Sequence, residues 1–461
     1  MKISLGAVAA SVIALGLGCA SKPVKAAEKP PAPAVSPAPL PPPEKLPRVM
    51  LGIDVLEAEK FAALAGKKIG LLTHPAGVNR RGESTVDVLR RAPNAKLVAL
   101  FGPEHGFDGL EKAGDNIADT VDQRTGLPVY SLYGKNNHPT KAQLKGLDAL
   151  VIDLQDIGVR SYTFNVVMRY AMEACFQNGV EVIVLDRPNP LGGLKVDGPP
   201  LDPENMSGVG GYPHMPYVHG LTIGEIARMA KGGSHAISGM EITEKVREKG
   251  RLTVIPMRGW NRGMRWPDTE LRWVPTSPNV PSFDAVIGYA MVGLGTDNPS
   301  FSGWTWGIGR DFPFRGIGFP KKTPDEIIAA MDAYKIPGIT LVKQTGLDRT
   351  GKLITGVYVQ VTDWESWHPT ELSFYMHKQA ARWTRLNPFA TLTTNEAHTF
   401  RIHVGSSAWC TELSRAGGKV NVAPFLQNWQ ARDAIYLEET KKFWLYPGSE
   451  PAPAAPVPAK K

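Results

Sequence analysis

The sequence predicts an α/β fold in which a mainly parallel sheet is covered by helices on both faces, and three observations carry that prediction. Strand-like and helix-like segments alternate through the first folded region, the apolar runs there end repeatedly in polar or charged residues, and residues 51–445 have the apolar content of a globular core. In order, residues 68–73 read as a strand, 84–91 as a short helix, 96–101 and 149–153 as strands, 166–178 as a helix and 180–186 as a strand. Beyond them, 222–231, 324–334 and 371–386 read as helices and 356–362 as a strand, with Asp363 in the turn that follows.

In open sheets of this kind ligands bind beyond the carboxyl ends of the strands. Polar groups gather there: Thr73-His74 after the first strand, Glu104-His105 after the second, Asp153 to Asp156 after the third and Asp186-Arg187 after the fourth. Carboxylates, imidazoles and guanidinium groups crowded beside buried strands are costly without a ligand or mutual pairing, so four converging loops point to a catalytic rim. A dinucleotide is disfavoured, because the turn Thr73-His74-Pro75-Ala76-Gly77 lacks the Gly-x-Gly-x-x-Gly pattern, and a Walker phosphate loop is absent. No cofactor is expected.

The ends of the chain have a different character. Met1-Lys2, an apolar run at 3–17 and Gly18-Cys19 resemble a bacterial lipoprotein signal, although Gly16 stands where such signals carry an aliphatic residue. Residues 1–19 are therefore expected to be a leader, with Cys19 lipidated or the leader cleaved in the ordinary secretory way. The expectation is export, to the periplasm or to an outer-membrane anchor, with membrane contact only through Cys19. Residues 20–48, rich in Pro and Ala, read as a stalk, and 447–461 as a similar tail. No later run is apolar enough to span a bilayer.

The net charge of +8 permits nucleic-acid binding, but the basic residues are dispersed and form no recognised module, so no nucleic-acid partner is expected. Cys175 and Cys410 lack metal-ligand spacing and read as buried and unpaired.

Three motifs carry the chemistry. Gly102-Pro103-Glu104-His105-Gly106 sets a carboxylate beside an imidazole in a stiff loop, so Glu104 is a candidate acid, base or nucleophile and His105 its neighbour. In the run 153–162, Asp153, Asp156, Arg160 and Tyr162 could hold a carboxylate ligand, or Asp156 and Arg160 could pair with each other. In Asp186-Arg187-Pro188-Asn189-Pro190-Leu191-Gly192-Gly193, Asn189 offers donor and acceptor to a hydroxylated ligand, while Asp186 and Arg187 could equally close a strand end. His74 leans towards a structural role.

These motifs, together with His219-Gly220-Leu221-Thr222-Ile223-Gly224-Glu225 and Thr276-Ser277-Pro278-Asn279-Val280-Pro281, resemble the exo-β-N-acetylmuramidase (NamZ-type) glycoside hydrolases across nearly all of residues 51–445. The resemblance implies a Rossmann-like N-terminal domain (49–275), a smaller α/β C-terminal domain (276–446), and a cleft that removes N-acetylmuramic acid from the non-reducing end of peptidoglycan-derived muropeptides or disaccharides. It implies that Glu104 is one catalytic carboxyl group, with Asp156 its first candidate partner and Asp153 the second. Arg160 or Arg187 would meet the lactyl carboxylate, and Asn189 or Asn279 the acetamido group. His219 either lines the cleft or precedes the N-cap of the helix after it.

The chain departs from that family after Gly293-Leu294-Gly295-Thr296, where a Glu-Gly-Arg-Gly-Thr segment is replaced by residues 297–310 and its glutamate is missing. Trp304 and Trp306 in this segment could stack on a sugar or pack against the body. Two rival functions stand beside the hydrolase: a metal-dependent hydrolase using His74, His105 and Asp153, and a non-catalytic cell-wall-binding lipoprotein.

Overall fold

The computed structural model describes residues 48–112, 114–348 and 350–448. The expected leader with Cys19, the stalk up to residue 47 and the tail from residue 449 lie outside the described residues.

The strands are β1 (Lys68–Thr73), β2 (Lys96–Gly102), β3 (Thr120–Val121), β4 (Pro128–Ser131), β5 (Ala149–Asp153), β6 (Glu181–Leu185), β7 (Val196–Asp197), β8 (Val218–His219) and β9 (Leu252–Ile255). Seven of them form one sheet in the order β3-β4-β2-β1-β5-β6-β9. Every pairing in it is parallel except β3 with β4, so the carboxyl ends of the six parallel strands share one edge. The chain runs from β1 outwards through β2 to β4 and then returns to β5 on the other side of β1. That reversal opens a crevice between the loops after β1 and β5.

Alternation along each strand buries both faces. Leu72, Phe101, Leu150, Ile152, Val182 and Val184 face one core, and Ile69, Leu71, Leu100, Val151, Ile183 and Leu185 the other. The second core is closed by helices α1 (Gly52–Ala58) and α2 (Thr85–Arg90) through Ile53, Leu56, Val86 and Leu89. The first is closed by α3 (Lys141–Leu144), α4 (Phe164–Asn178) and α5 (Ile223–Gly232) through Leu144, Met168, Met172 and Ile226. Each such side chain contributes about 1.5–3 kcal/mol by leaving water.

The first core continues into the C-terminal region through Ala285, Trp304, Val357 and Phe374. There β10 (Thr305–Trp306), β11 (Gly316–Gly318), β12 (Ile339–Leu347) and β13 (Leu353–Val361) form a second, antiparallel sheet in the order β10-β11-β13-β12. The helices Pro324–Asp332 and Glu371–Trp383 pack nearby, and Thr394–Val404, Ser407–Ala416 and Ala423–Thr440 follow. No helix of the described residues is long and apolar enough to cross a membrane. Cys175 and Cys410 are buried, free thiols whose pKa burial raises.

Candidate active site

The loop after β2 is shaped by its own sequence. A Cβ on Gly102 would meet Phe107 N at 2.6 Å, Gly106 N–H closes a turn on Pro103 O at 3.0 Å, and His105 takes a left-handed φ of 69°. The His105 ring donates from Nδ1 to Glu111 O at 2.8 Å, and Glu111 N–H donates back to His105 O at 3.1 Å. His105 thus ties the loop, and Glu104 beside it stays partly exposed.

Glu104 is held from three sides. Thr163 Oγ1 donates to Oε2 at 2.8 Å and Gly114 N to Oε1 at 3.3 Å. Thr163 is the N-cap of α4 yet makes no capping bond with its side chain, so its hydroxyl serves the carboxylate at the positive end of a 15-residue helix. Tyr133, just past β4, faces the same group; burial and then the Glu104 charge raise its phenol pKa.

The loops beside this carboxylate bind mostly to one another. Asp153 is fully buried and meets Arg187 twice, Nε to Oδ1 at 2.6 Å and Nη2 to Oδ2 at 2.9 Å, while Thr85 Oγ1 also donates to it. Arg187 spends its remaining reach on Val78 O at 2.7 Å. Asp156 accepts from Gly158 N at 2.7 Å and lies 3.1 Å from His219 Nε2. Because Leu221 N–H donates to His219 Nδ1 at 3.2 Å, the ring proton sits on Nε2 and points at Asp156.

Arg160 does not pair with Asp156. It is buried and donates to Val404 O at 3.0 Å and Ile402 O at 3.4 Å, with its guanidinium 5.5 Å from the Tyr217 ring centroid. Burial lowers its pKa to about 10, which leaves it charged at neutral pH. Asn189 is likewise turned inward, donating to Leu221 O at 3.0 Å and accepting from Leu191 N at 3.0 Å. Asn279 stands exposed on its loop.

His74, at the reversal of the sheet, accepts from Gln155 N at Nε2 over 3.0 Å. Burial, then the charges of Arg187 and His105, push its pKa well down, so it is neutral. Asp186 accepts from Thr222 Oγ1, Gly224 N and Tyr446 Oη, yet burial still raises its pKa to about 7. The rim therefore brings together Glu104, His105, His74 and Tyr162, whose hydroxyl donates to Thr276 Oγ1 at 2.8 Å. Among the described residues no group of three or more His, Cys, Asp or Glu gathers as a metal would need. The lone pair of His74 Nε2 and both oxygens of Asp153 already face donors.

Several residues at the site were not among the sequence candidates. Thr163 lies inside the motif at 153–164, and Tyr133 follows a strand end, a signal that marked the other loops. Of the two tryptophans, Trp304 is fully buried and donates from Nε1 to Met376 O at 2.8 Å, and Trp306 stacks on Phe314 at 4.3 Å. The 297–310 segment has no glutamate but opens with an acid, Asp297.

A parallel sheet with the partly open carboxylate of Glu104 on its carboxyl-end rim defines an α/β protein built to act on a ligand held above the sheet. Residues 69–284 match the family described as exo-β-N-acetylmuramidase NamZ, N-terminal, and residues 288–446 its C-terminal counterpart; the chain belongs to this family. It is 42% identical over 325 residues to the peptidoglycan β-N-acetylmuramidase NamZ of Bacillus subtilis (strain 168), covering 69% of this chain and 74% of that protein. It also resembles crystal structures of two DUF1343 family proteins from Bacteroides fragilis. One has a TM-score of 0.75 at 32% identity, covering 87% of this chain and 100% of its own. The other has 0.65 at 28% identity, covering 87% and 99%.

Proposed function

We propose that this protein is a glycoside hydrolase that releases N-acetylmuramic acid from the non-reducing end of peptidoglycan fragments. The observation that carries the reading is Glu104: a carboxylate fixed by Thr163 and Gly114, partly open, on the rim of a family-matched sheet. Its neighbours Asp153 and Asp156 are buried and engaged inside the protein. Glycoside hydrolysis needs two carboxyl groups flanking the bond, roughly 5–9.5 Å apart, and Glu104 serves as one of them.

The reading includes export, with a lipid anchor on Cys19, and division into a catalytic domain at 49–275 and a cleft-completing domain at 276–446. What supports the division is the change from a parallel to an antiparallel sheet. Since Arg160 and Arg187 are buried and donate to protein carbonyls and to Asp153, they act by fixing the loops that form the cleft. Release of a chromophore from a chromogenic muramide tests the proposal. Turnover by the parent chain, falling about 100-fold or more in Glu104→Gln, is expected; binding without turnover by the parent contradicts it and favours a cell-wall-binding role.

A further inference from the structure

The two arginines of the rim are turned into the protein, so the anionic groups of a wall polymer need other partners. Uncommitted cations lie in the C-terminal region. An open depression of about 660 Å³ lies where the helices Glu371–Trp383 and Ser407–Ala416 meet, and Lys378, Arg382, Arg415 and Lys419 line it. Among the described residues no carboxylate lines it, and none of its lining residues belongs to the four rim loops.

The backbone holds these cations in place. Lys378 and Arg382 stand one turn apart on one helix, where like charges repel, and burial, then the Arg382 charge, lowers the Lys378 pKa. Arg382 is fixed by donating from Nε to Gly418 O at 3.0 Å and from Nη1 to Tyr334 Oη at 3.0 Å. Gly418 leaves it room, since a Cβ there would come within 2.5 Å of Arg382 Cγ. Gly417, with φ 52° and ψ −130°, turns the chain out of the second helix in a conformation that side chains disfavour, and Lys419 follows it, exposed. Asn387 Nδ2 donates to Leu413 O at 2.9 Å and Ser414 O at 2.8 Å, which ties the chain after the first helix to the last turn of the second.

One of the four charges is answered: Arg415 donates from Nε to Glu412 Oε2 at 2.8 Å and from Nη2 to Oε1 at 2.6 Å. Neither Lys378 nor Lys419 has a hydrogen-bond or ion-pair partner among the described residues, and Arg382 retains N–H groups beyond its two protein bonds. Like charges gathered in this way repel one another, and a bound anion relieves that repulsion.

We propose that this depression is a second binding site, apart from the rim, for the carboxylates of the peptides on the wall polymer, and that it holds the protein on that polymer while Glu104 works at a chain end. The choice of ligand rests on the muramidase reading, because the polymer that ends in N-acetylmuramic acid also carries peptides with free carboxylates. Arg382 meets a carboxylate with directed N–H groups, and the two lysines reach it as point charges on flexible stems.

Sedimentation of the full chain with insoluble peptidoglycan, freed of other wall polymers, tests the site beside the same material after its carboxyl groups have been converted to amides. In Lys378→Glu with Lys419→Glu the apparent Kd for untreated peptidoglycan is expected to rise at least about tenfold, with kcat and KM on a 4-nitrophenyl muramide within about twofold of the parent. Lys378→Gln with Lys419→Gln, which removes the charges without reversing them, gives an intermediate loss. Parent binding weakens on the amidated material and, on untreated material, with rising salt. Equal binding of treated and untreated peptidoglycan by the parent, or an unchanged Kd in both double variants, overturns the site. A fall in nitrophenyl-muramide turnover that parallels the binding loss in both variants also overturns it, since the depression then belongs to the rim. A parent chain that binds through the two lysines yet turns over no muramide overturns the muramidase reading and leaves this site standing.

Discussion

Arg160 reaches from the loop after β5 to the carbonyl of Val404, 3.0 Å away and 244 residues later in the chain. It fastens the rim of the parallel sheet to the end of the helix Thr394–Val404, and Gly405 makes room for it. Gly405 has a φ of 83°, and a Cβ there would collide with the guanidinium.

Two substitutions probe this fastening. Arg160→Met leaves the Val404 and Ile402 carbonyls without their donor and is expected to cost about 1–3 kcal/mol. Gly405→Ala adds strain at a left-handed position together with a clash, and is expected to cost at least about 1 kcal/mol. Chemical denaturation of each variant measures the loss, and a double variant less destabilised than the sum of the two shows that they act on one contact.

The Asp153–Arg187 pair is expected to be structural. Arg187→Met strands a buried carboxylate and should lower stability by about 3–5 kcal/mol, whereas Asp153→Asn with Arg187→Met should recover part of that loss. Thermal melts of the three variants check this. A melting temperature unchanged in Arg187→Met contradicts it.

Asp433 gives a pH dependence with a definite sign. Burial, then the charge of Asp197, raises its pKa to about 9 in the folded chain, from an unfolded value near 3.8. The folded state then holds a proton that the unfolded state has lost, so this group's stabilising contribution falls as pH climbs from about 4 to about 9. Asp433→Asn mimics the protonated form. It should match the parent near pH 4 and become the more stable of the two by pH 9, read from denaturation midpoints across that range.

The His219–Asp156 contact makes a further case. His219→Ala removes the Nε2 proton from a nearly buried carboxylate and should cost about 1–3 kcal/mol, while His219→Gln, which can still donate, should cost less. Denaturation in urea distinguishes the two.

Much of this was legible in the sequence. The spans 68–73 and 149–153 coincide with β1 and β5 because continuous apolar runs ending in a polar group admit few other readings. The convergence of the four loops followed from the parallel order of the strands. The destinations of Arg160 and Asn189 did not, because side-chain partners hundreds of residues away, or facing a backbone carbonyl, leave no local pattern. The helices Thr394–Val404 and Ala423–Thr440 carry polar residues around much of their circumference and bury only narrow strips, so apolar periodicity missed them. The first left one readable signal, the Thr393 and Glu396 capping box with Gly405 at its end. The edge strand β3 and its neighbour β4 were too short to register.

The activity is defined by which sugar is released and from which end. The most direct measurement is chromatography of the products formed from two defined oligosaccharides, one with N-acetylmuramic acid and the other with N-acetylglucosamine at the non-reducing end. Free N-acetylmuramic acid is expected from the first alone, and its loss in Glu104→Gln at an unchanged melting temperature. Free N-acetylglucosamine from the second, internal cleavage of either, or undiminished release by Glu104→Gln would contradict it.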